Sequence, residues 1–188
     1  MKTKKIFFTI VPISILVAFS LSIISISSRA YAQKATYGQQ IAIAKVIKPG
    51  LTTIGVIGSK LDDKAIEGWT RAGLALGVKV IIGIPQNVRD VPSVYKTLVK
   101  EKKVELLIIA DASDDLMTGM GFDYLREVAL NDRIGIFAPK PEMVNNGAIC
   151  TVTSDNGQLK AYVNQKLAQV LGLTVPTESG QSISYVLQ

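Results

Sequence analysis

The chain has no histidine, and one cysteine and one tryptophan in 188 residues. Without histidine there is no serine–histidine or cysteine–histidine nucleophile pair, and most zinc sites lose a principal ligand. A lone cysteine cannot close an internal disulfide, even in an oxidising compartment. Cys150 stands in the apolar run 148–152, so a small buried strand residue is expected rather than a reactive thiol. The sequence also lacks internal repeats and low-complexity runs.

Residues 1–32 read as targeting sequence. Lys2, Lys4 and Lys5 form a basic start, an apolar run spans 6–26, and Ala30-Tyr31-Ala32 fits the small-x-small cleavage rule. Cleavage after Ala32 and a periplasmic or secreted location are expected, with an uncleaved membrane anchor as the alternative. No cysteine follows the apolar run, so a lipoprotein signal is excluded. Removing this segment takes away Lys2, Lys4, Lys5 and Arg29, so the formal charge falls from +6 to +2. Nothing in that balance asks for nucleic acid as a partner. Residues 33–188 have the size of one domain.

The most informative stretch is 48–75, KPGLTTIGVIGSKLDDKAIEGWTRAGLA. A β-branched apolar run is followed by a polar loop and then by an amphipathic helix. Continuous apolar strands are those of a parallel sheet covered on both faces. The pattern repeats. Helices are expected at 39–47, 61–76, 91–101, 115–130 and 156–171, and strands at 52–58, 78–84, 104–110, 133–138 and 148–153. A short extra strand at 182–187 would end the chain. Strand–helix alternation of this kind gives an α/β fold. The expected form is a three-layer α/β/α sandwich on a parallel five-stranded doubly wound sheet, flavodoxin-like with order 2-1-3-4-5.

In such sheets ligands sit at the carboxyl ends of the strands. The loops there carry Ser59, Asp62, Asp63, Gln86, Asn87, Asp111, Ser113, Asp114, Asp115, Asn145 and Asn146, and Asp155 follows the fifth strand. Hydroxyls, amides and carboxylates over an apolar sheet suit a hydrogen-bonded small-molecule site. Asp62, Asp115 and Asp155 each precede an expected helix, so capping is their expected role. Asp111 instead ends an apolar strand and could hold a ligand ammonium. Trp69 lies on the apolar stripe of its helix and reads as core. An aspartate-only magnesium hydrolase would have to draw on Asp111, Asp114 and Asp115. The favoured reading has no enzymatic activity, no cofactor and no metal.

Three segments together resemble the periplasmic substrate-binding proteins of ABC transporters: QQIAIAKVIKPGLTTIGVIGS, VELLIIADAS and RIGIFAPKPEMVNNGAICTVTSDNGQLKAYVNQKLAQVLGLTVP. The resemblance covers the C-terminal of that family's two α/β lobes. It implies an exported protein that binds a small polar ligand, an amino acid among the candidates, and that works with an ABC permease or another exported protein. Carried over by position, the ligand-binding residues are Ser59, Asp111, Asn145, Asn146 and Gly147, and Ser113, in the same strand-end loop as Asp111, is expected to join them. Gly58 stands where the family has a polar or aromatic residue. A second copy, as a homodimer, or a partner subunit would complete the cleft. The competing reading is a non-catalytic adaptor, a binding-protein lobe that docks on a transporter or sensor.

Overall fold

The computed structural model describes residues 33–155, 158–175 and 183–187. The expected targeting segment, residues 1–32, lies outside the described residues.

The chain begins with β1 (Gln33–Lys34) and α1 (Tyr37–Ile47). Thr36 caps α1: its hydroxyl accepts from the Gln39 amide, while the Gln39 side chain accepts from the Thr36 amide. This capping box fixes the helix start two residues before the expected one. The strand β2 (Thr53–Ile57) and the helix α2 (Asp63–Ala75) follow, with Asp62 accepting from the Ala65 amide as the expected cap. Gly77, at φ +66, then turns the chain into β3 (Lys79–Gly83).

The helix α3 (Val91–Lys96) widens into a π-helical turn over residues 97–101. Next come β4 (Leu106–Ile109), α4 (Asp115–Thr118), α5 (Met120–Asn131), β5 (Gly135–Phe137) and α6 (Glu142–Asn145). The expected helix 115–130 is therefore interrupted at Gly119. The chain closes with β6 (Cys150–Asp155), β7 (Gln158–Val163), α7 (Gln165–Val170) and β8 (Ile183–Leu187).

The sheet runs β3-β2-β4-β5-β6-β7-β8. Its first five strands are parallel and stand in the expected order 2-1-3-4-5. The sheet then goes further than expected. β7 pairs antiparallel with β6, and the terminal strand β8 pairs parallel with β7. β5 meets β6 only at Phe137↔Cys150, and β1 takes up the same strand's far end at Gln33↔Ser154 and Lys34↔Thr153.

One expectation is overturned here. The segment 156–171 is not one long helix: it is a strand followed by a short helix. Leu159, Ala161 and Val163 are buried while Lys160 and Tyr162 are half-buried, which is period two. Asp155 pairs with Gln158 across a two-residue connection, Asn156-Gly157. Asp155 is therefore the last residue of a strand and not the residue before a helix. The cap of α7 is Asn164, which accepts from the Leu167 amide.

Alternation along the strands divides the core into two layers. Ile54, Val56, Leu106 and Ile108 pack against α1, α2 and α7, with Ile41, Ala44, Trp69 and Ala168. Ile57, Leu107 and Ile109 pack against α3 and α5, with Tyr95, Leu98, Phe122 and Leu125. Trp69 is fully buried against Tyr37, with ring centroids 4.6 Å apart. Gly73 lets α2 lie on the sheet: a Cβ there would come within 2.3 Å of Val80 Cγ2 and 2.6 Å of the Val78 carbonyl oxygen.

Candidate functional site

The central strand pair, β2 and β4, is held at both ends by a carboxylate. At the amino end Glu105 accepts from the Thr52 amide (3.0 Å), the Thr52 hydroxyl (2.6 Å) and the Thr53 amide (3.1 Å). Its burial acts to raise its pKa, but these bonds and Lys48 outweigh that and hold the carboxyl below its ordinary value. At the carboxyl end the carboxylate is Asp114, which is fully buried. Its Oδ2 accepts from the Ser59 amide at 2.5 Å. Its Oδ1 accepts from the Ser59 hydroxyl at 2.6 Å and from the Met117 amide at 3.2 Å.

Asp114 thus caps α4 and also locks the loop after β2 to the loop after β4. It takes the role expected of Asp115, which is exposed in the first turn of α4. The reason is geometric: the capping residue precedes the first helical residue, and that residue here is Asp115.

The rest of the rim hangs on this lock. Ser113 donates its amide (2.8 Å) and its hydroxyl (2.9 Å) to Asp111 Oδ1. Lys60 Nζ reaches the Ser113 carbonyl at 2.9 Å. So Ser59, Asp111 and Ser113, separate in sequence, form one cluster at the carboxyl edge of the sheet. Beside it lies an open cavity of about 500 Å³ lined by Asp111, Lys60, Asp62, Lys64, Glu67 and Arg71, with Tyr37 and Gly68 along the wall. Glu67 and Arg71 are ion-paired across one helical turn.

Asn145, Asn146 and Gly147 do not join this cluster. They end α6 and lead into β6, and Asn146 and Gly147 line a separate cavity of about 430 Å³ with Arg126, Glu127 and Leu167. Arg126 Nη1 donates to the Asn146 carbonyl at 3.3 Å. Asn145 itself is exposed.

A roomier cavity, about 540 Å³, lies between α3 and α5. There the Tyr95 hydroxyl donates to Asp132 Oδ2 at 2.8 Å, and Lys100 pairs with the other carboxyl oxygen. Burial, reinforced by Asp132, pushes the Tyr95 phenol well up, while Lys100 and then Tyr95 hold Asp132 below its ordinary range. Its polar groups satisfy one another across the two helices, which is what helix–helix packing needs.

Among the described residues, no group of three His, Cys, Asp or Glu side chains is placed to hold a metal ion. Both oxygens of Asp114 accept hydrogen bonds from within the protein, from Ser59 and Met117. Cys150 is fully buried, and burial raises its thiol pKa strongly. Among the described residues, no helix is long and apolar enough to cross a membrane.

The model of one family, ABC transporter substrate binding protein, matches residues 26–180. The chain belongs to this family. Substrate-binding proteins of this kind bind small molecules, work with transporter permeases, are generally non-catalytic, and are typically exported or periplasmic. No curated protein matches the sequence.

Solved structures carry the same fold. An ABC domain from Streptococcus pneumonia in complex with L-Trp has a TM-score of 0.67 at 18% identity, over 80% of this chain and 62% of that one. A conserved domain protein from Vibrio cholerae has a TM-score of 0.64 at 17% identity, over 81% and 61%. The ligand-free, open structure of a substrate binding protein with adhesive properties from Clostridium difficile has a TM-score of 0.64 at 16% identity, over 81% and 60%. The match spans about three-fifths of the length of each.

Proposed function

We propose that the chain is an exported, non-catalytic solute-binding protein of ABC-transporter type whose small polar ligand sits at the carboxyl-edge rim of Ser59, Asp111 and Ser113. An amino acid leads the ligand candidates. The observation that carries this reading is the buried Asp114 lock. It fixes two loops from the two central strands beside a cavity of about 500 Å³ whose wall offers both charges and an aromatic ring. A site held rigid from within recognises a ligand without first having to be ordered. The position also obeys the general rule for open α/β sheets, in which the crevice outside the strand ends takes the ligand. The cluster contains no histidine and no free acid–base pair, so recognition suits it better than bond-making.

The test is a thermal-shift screen of the purified protein against amino acids, nucleobases and sugars. A ligand that binds the native state at a hundred times its Kd stabilises by about 2.7 kcal/mol. A rise in Tm with one class, lost in Ser59→Ala and Asp111→Ala, is the expected result. A rise that survives both substitutions, or no rise with any class, overturns the reading.

A further inference from the structure

Positive charge is gathered at one place in this chain. Lys96, Lys100, Lys102, Lys103 and Arg133 stand against Glu101 and Asp132, a net charge of +3. Residues 33–188 carry +2 in all, so the rest of them sum to −1. The strand register brings the cations together. Leu106 of β4 pairs with Gly135 of β5, which sets Arg133 level with Val104 and beside Lys103. Lys103 and Arg133, both at φ +57, each lead the chain from a helix end toward the next strand. The Lys100–Asp132 ion pair ties the two helix ends to each other.

Folding does not call for this cluster. A helix dipole favours a cation in the last turn, and its effect fades beyond it. Lys102, Lys103 and Arg133 lie past that turn. Among the described residues, these three and Lys96 make no ion pair, and all four are exposed. Like charges one helical turn apart, as Lys96 and Lys100 are, weaken a helix.

Lys96 and Lys100 also line the cavity of about 540 Å³ between α3 and α5. Pro92, Tyr124 and Val128 form its apolar wall, and Tyr95 meets Tyr124 edge-on with ring centroids 6.3 Å apart. The Tyr95 hydroxyl and Asp132 are bonded to each other. The recess therefore offers an occupant mainly ring and aliphatic surface, and its amino-edge end offers unpaired positive charge.

We propose that the recess between α3 and α5, with its cationic rim, is a docking groove for an acidic segment of a partner protein. One aromatic side chain of the segment enters between the helices, and flanking carboxylates meet Lys96, Lys102, Lys103 and Arg133. Complementary charge selects the segment, and the buried anchor holds it. The shape of the surface favours a peptide over an anionic membrane. A bilayer is entered by protruding apolar side chains, and none of the large apolar side chains exposed among the described residues lines this recess. The groove lies along the helices, apart from the rim of Ser59, Asp111 and Ser113, so it is independent of the ligand reading above.

The experiment titrates the labelled full chain with end-capped peptides DEWED, DEGED and KKWKK, and separately with vesicles of phosphatidylcholine and phosphatidylglycerol. DEWED should shift amides within residues 96–103 and 124–133 and leave Ser59 and Asp111 unmoved. DEGED, which lacks the anchor, should bind at least about fivefold more weakly, and KKWKK should not bind. The double variant Lys96→Glu and Lys102→Glu changes two exposed side chains, so Tm should hold while DEWED weakens about tenfold or more. Raising the salt from about 50 to about 200 mM should weaken DEWED severalfold. Silence with DEWED, equal binding of DEWED and DEGED, binding that survives the double variant, or a response to the vesicles alone overturns the proposal.

Discussion

Replacing Asp114 with alanine should be among the most damaging single changes in the protein outside its apolar core. The side chain is fully buried and takes three hydrogen bonds, from the Ser59 amide, the Ser59 hydroxyl and the Met117 amide. Alanine removes the cap of α4, worth about 1 kcal/mol. It also strands the amide of Ser59, and a buried donor left without a partner costs about 1–3 kcal/mol. The Ser59 hydroxyl can turn to solvent, because that residue is only half-buried, so its bond adds little. The expected loss is about 2–4 kcal/mol, a large part of the roughly 5–15 kcal/mol that holds a domain together. At about 2–4 °C per kcal/mol for a chain of this size, Tm should fall by about 5–15 °C.

Urea unfolding followed by the fluorescence of Trp69 is the assay, since this single tryptophan is fully buried in the native state. The midpoint should move with an unchanged m-value. Asp115→Ala is the matched control: its carboxylate is exposed, and the change should stay within about 0.5 kcal/mol of the parent. Equal effects of the two substitutions, or a near-neutral Asp114→Ala, would refute the assignment of the lock.

Other consequences can be checked in the same way. Asp132 and Glu105 have carboxyls held below their ordinary range, so they stabilise the fold above the unfolded value of about 4 and lose that contribution as pH falls through their lower folded values. Acid unfolding should therefore begin below about pH 4, and Asp132→Asn should flatten the pH dependence of the urea midpoint in that range. Gly73→Ala should cost about 1–3 kcal/mol by overpacking, because the added Cβ would meet the Val78 carbonyl oxygen at 2.6 Å, and a backbone atom cannot step aside. A calorimetric Tm equal to that of the parent would contradict it. Cys150 should resist a thiol reagent in the native protein and react only on unfolding, because the thiol is buried and its thiolate disfavoured.

The parallel half of the fold was legible because each strand is a short apolar run closed by a turn residue. The runs TIGVI and LLII cannot be amphipathic helices, and Asp62 and Gly77 mark the ends of α2, the helix that follows the first of them. The β6–β7 hairpin was not read because Leu159, Ala161 and Val163 run straight on into Leu167, Ala168 and Leu171. Joined in this way, the two sets imitate one helical stripe. The signal that separates them was present: Asn156-Gly157 between two apolar runs is a strong hairpin marker.

At the candidate site, the placement of Ser59, Asp111 and Ser113 at one edge of the sheet was legible from their position after apolar strands. Asp114 was not, since capping preference alone cannot choose between two adjacent aspartates. Only the approach of the Ser59 loop decides which carboxyl is buried. Tyr37, Lys64, Glu67 and Arg71 reach the cavity from helices, and no strand-end rule points to them. Conversely, Asn145 to Gly147 fall after β5 in sequence, yet α6 carries the chain away from the rim before they are reached.

The most direct test of the account is the location of a bound ligand, read as backbone amide shifts with whichever compound raises Tm. The predicted result is a footprint on Ser59, Lys60 and residues 111–117, at the carboxyl edge of β2 and β4. A footprint confined to the cavity between α3 and α5, or to the one beside Asn146, would contradict it.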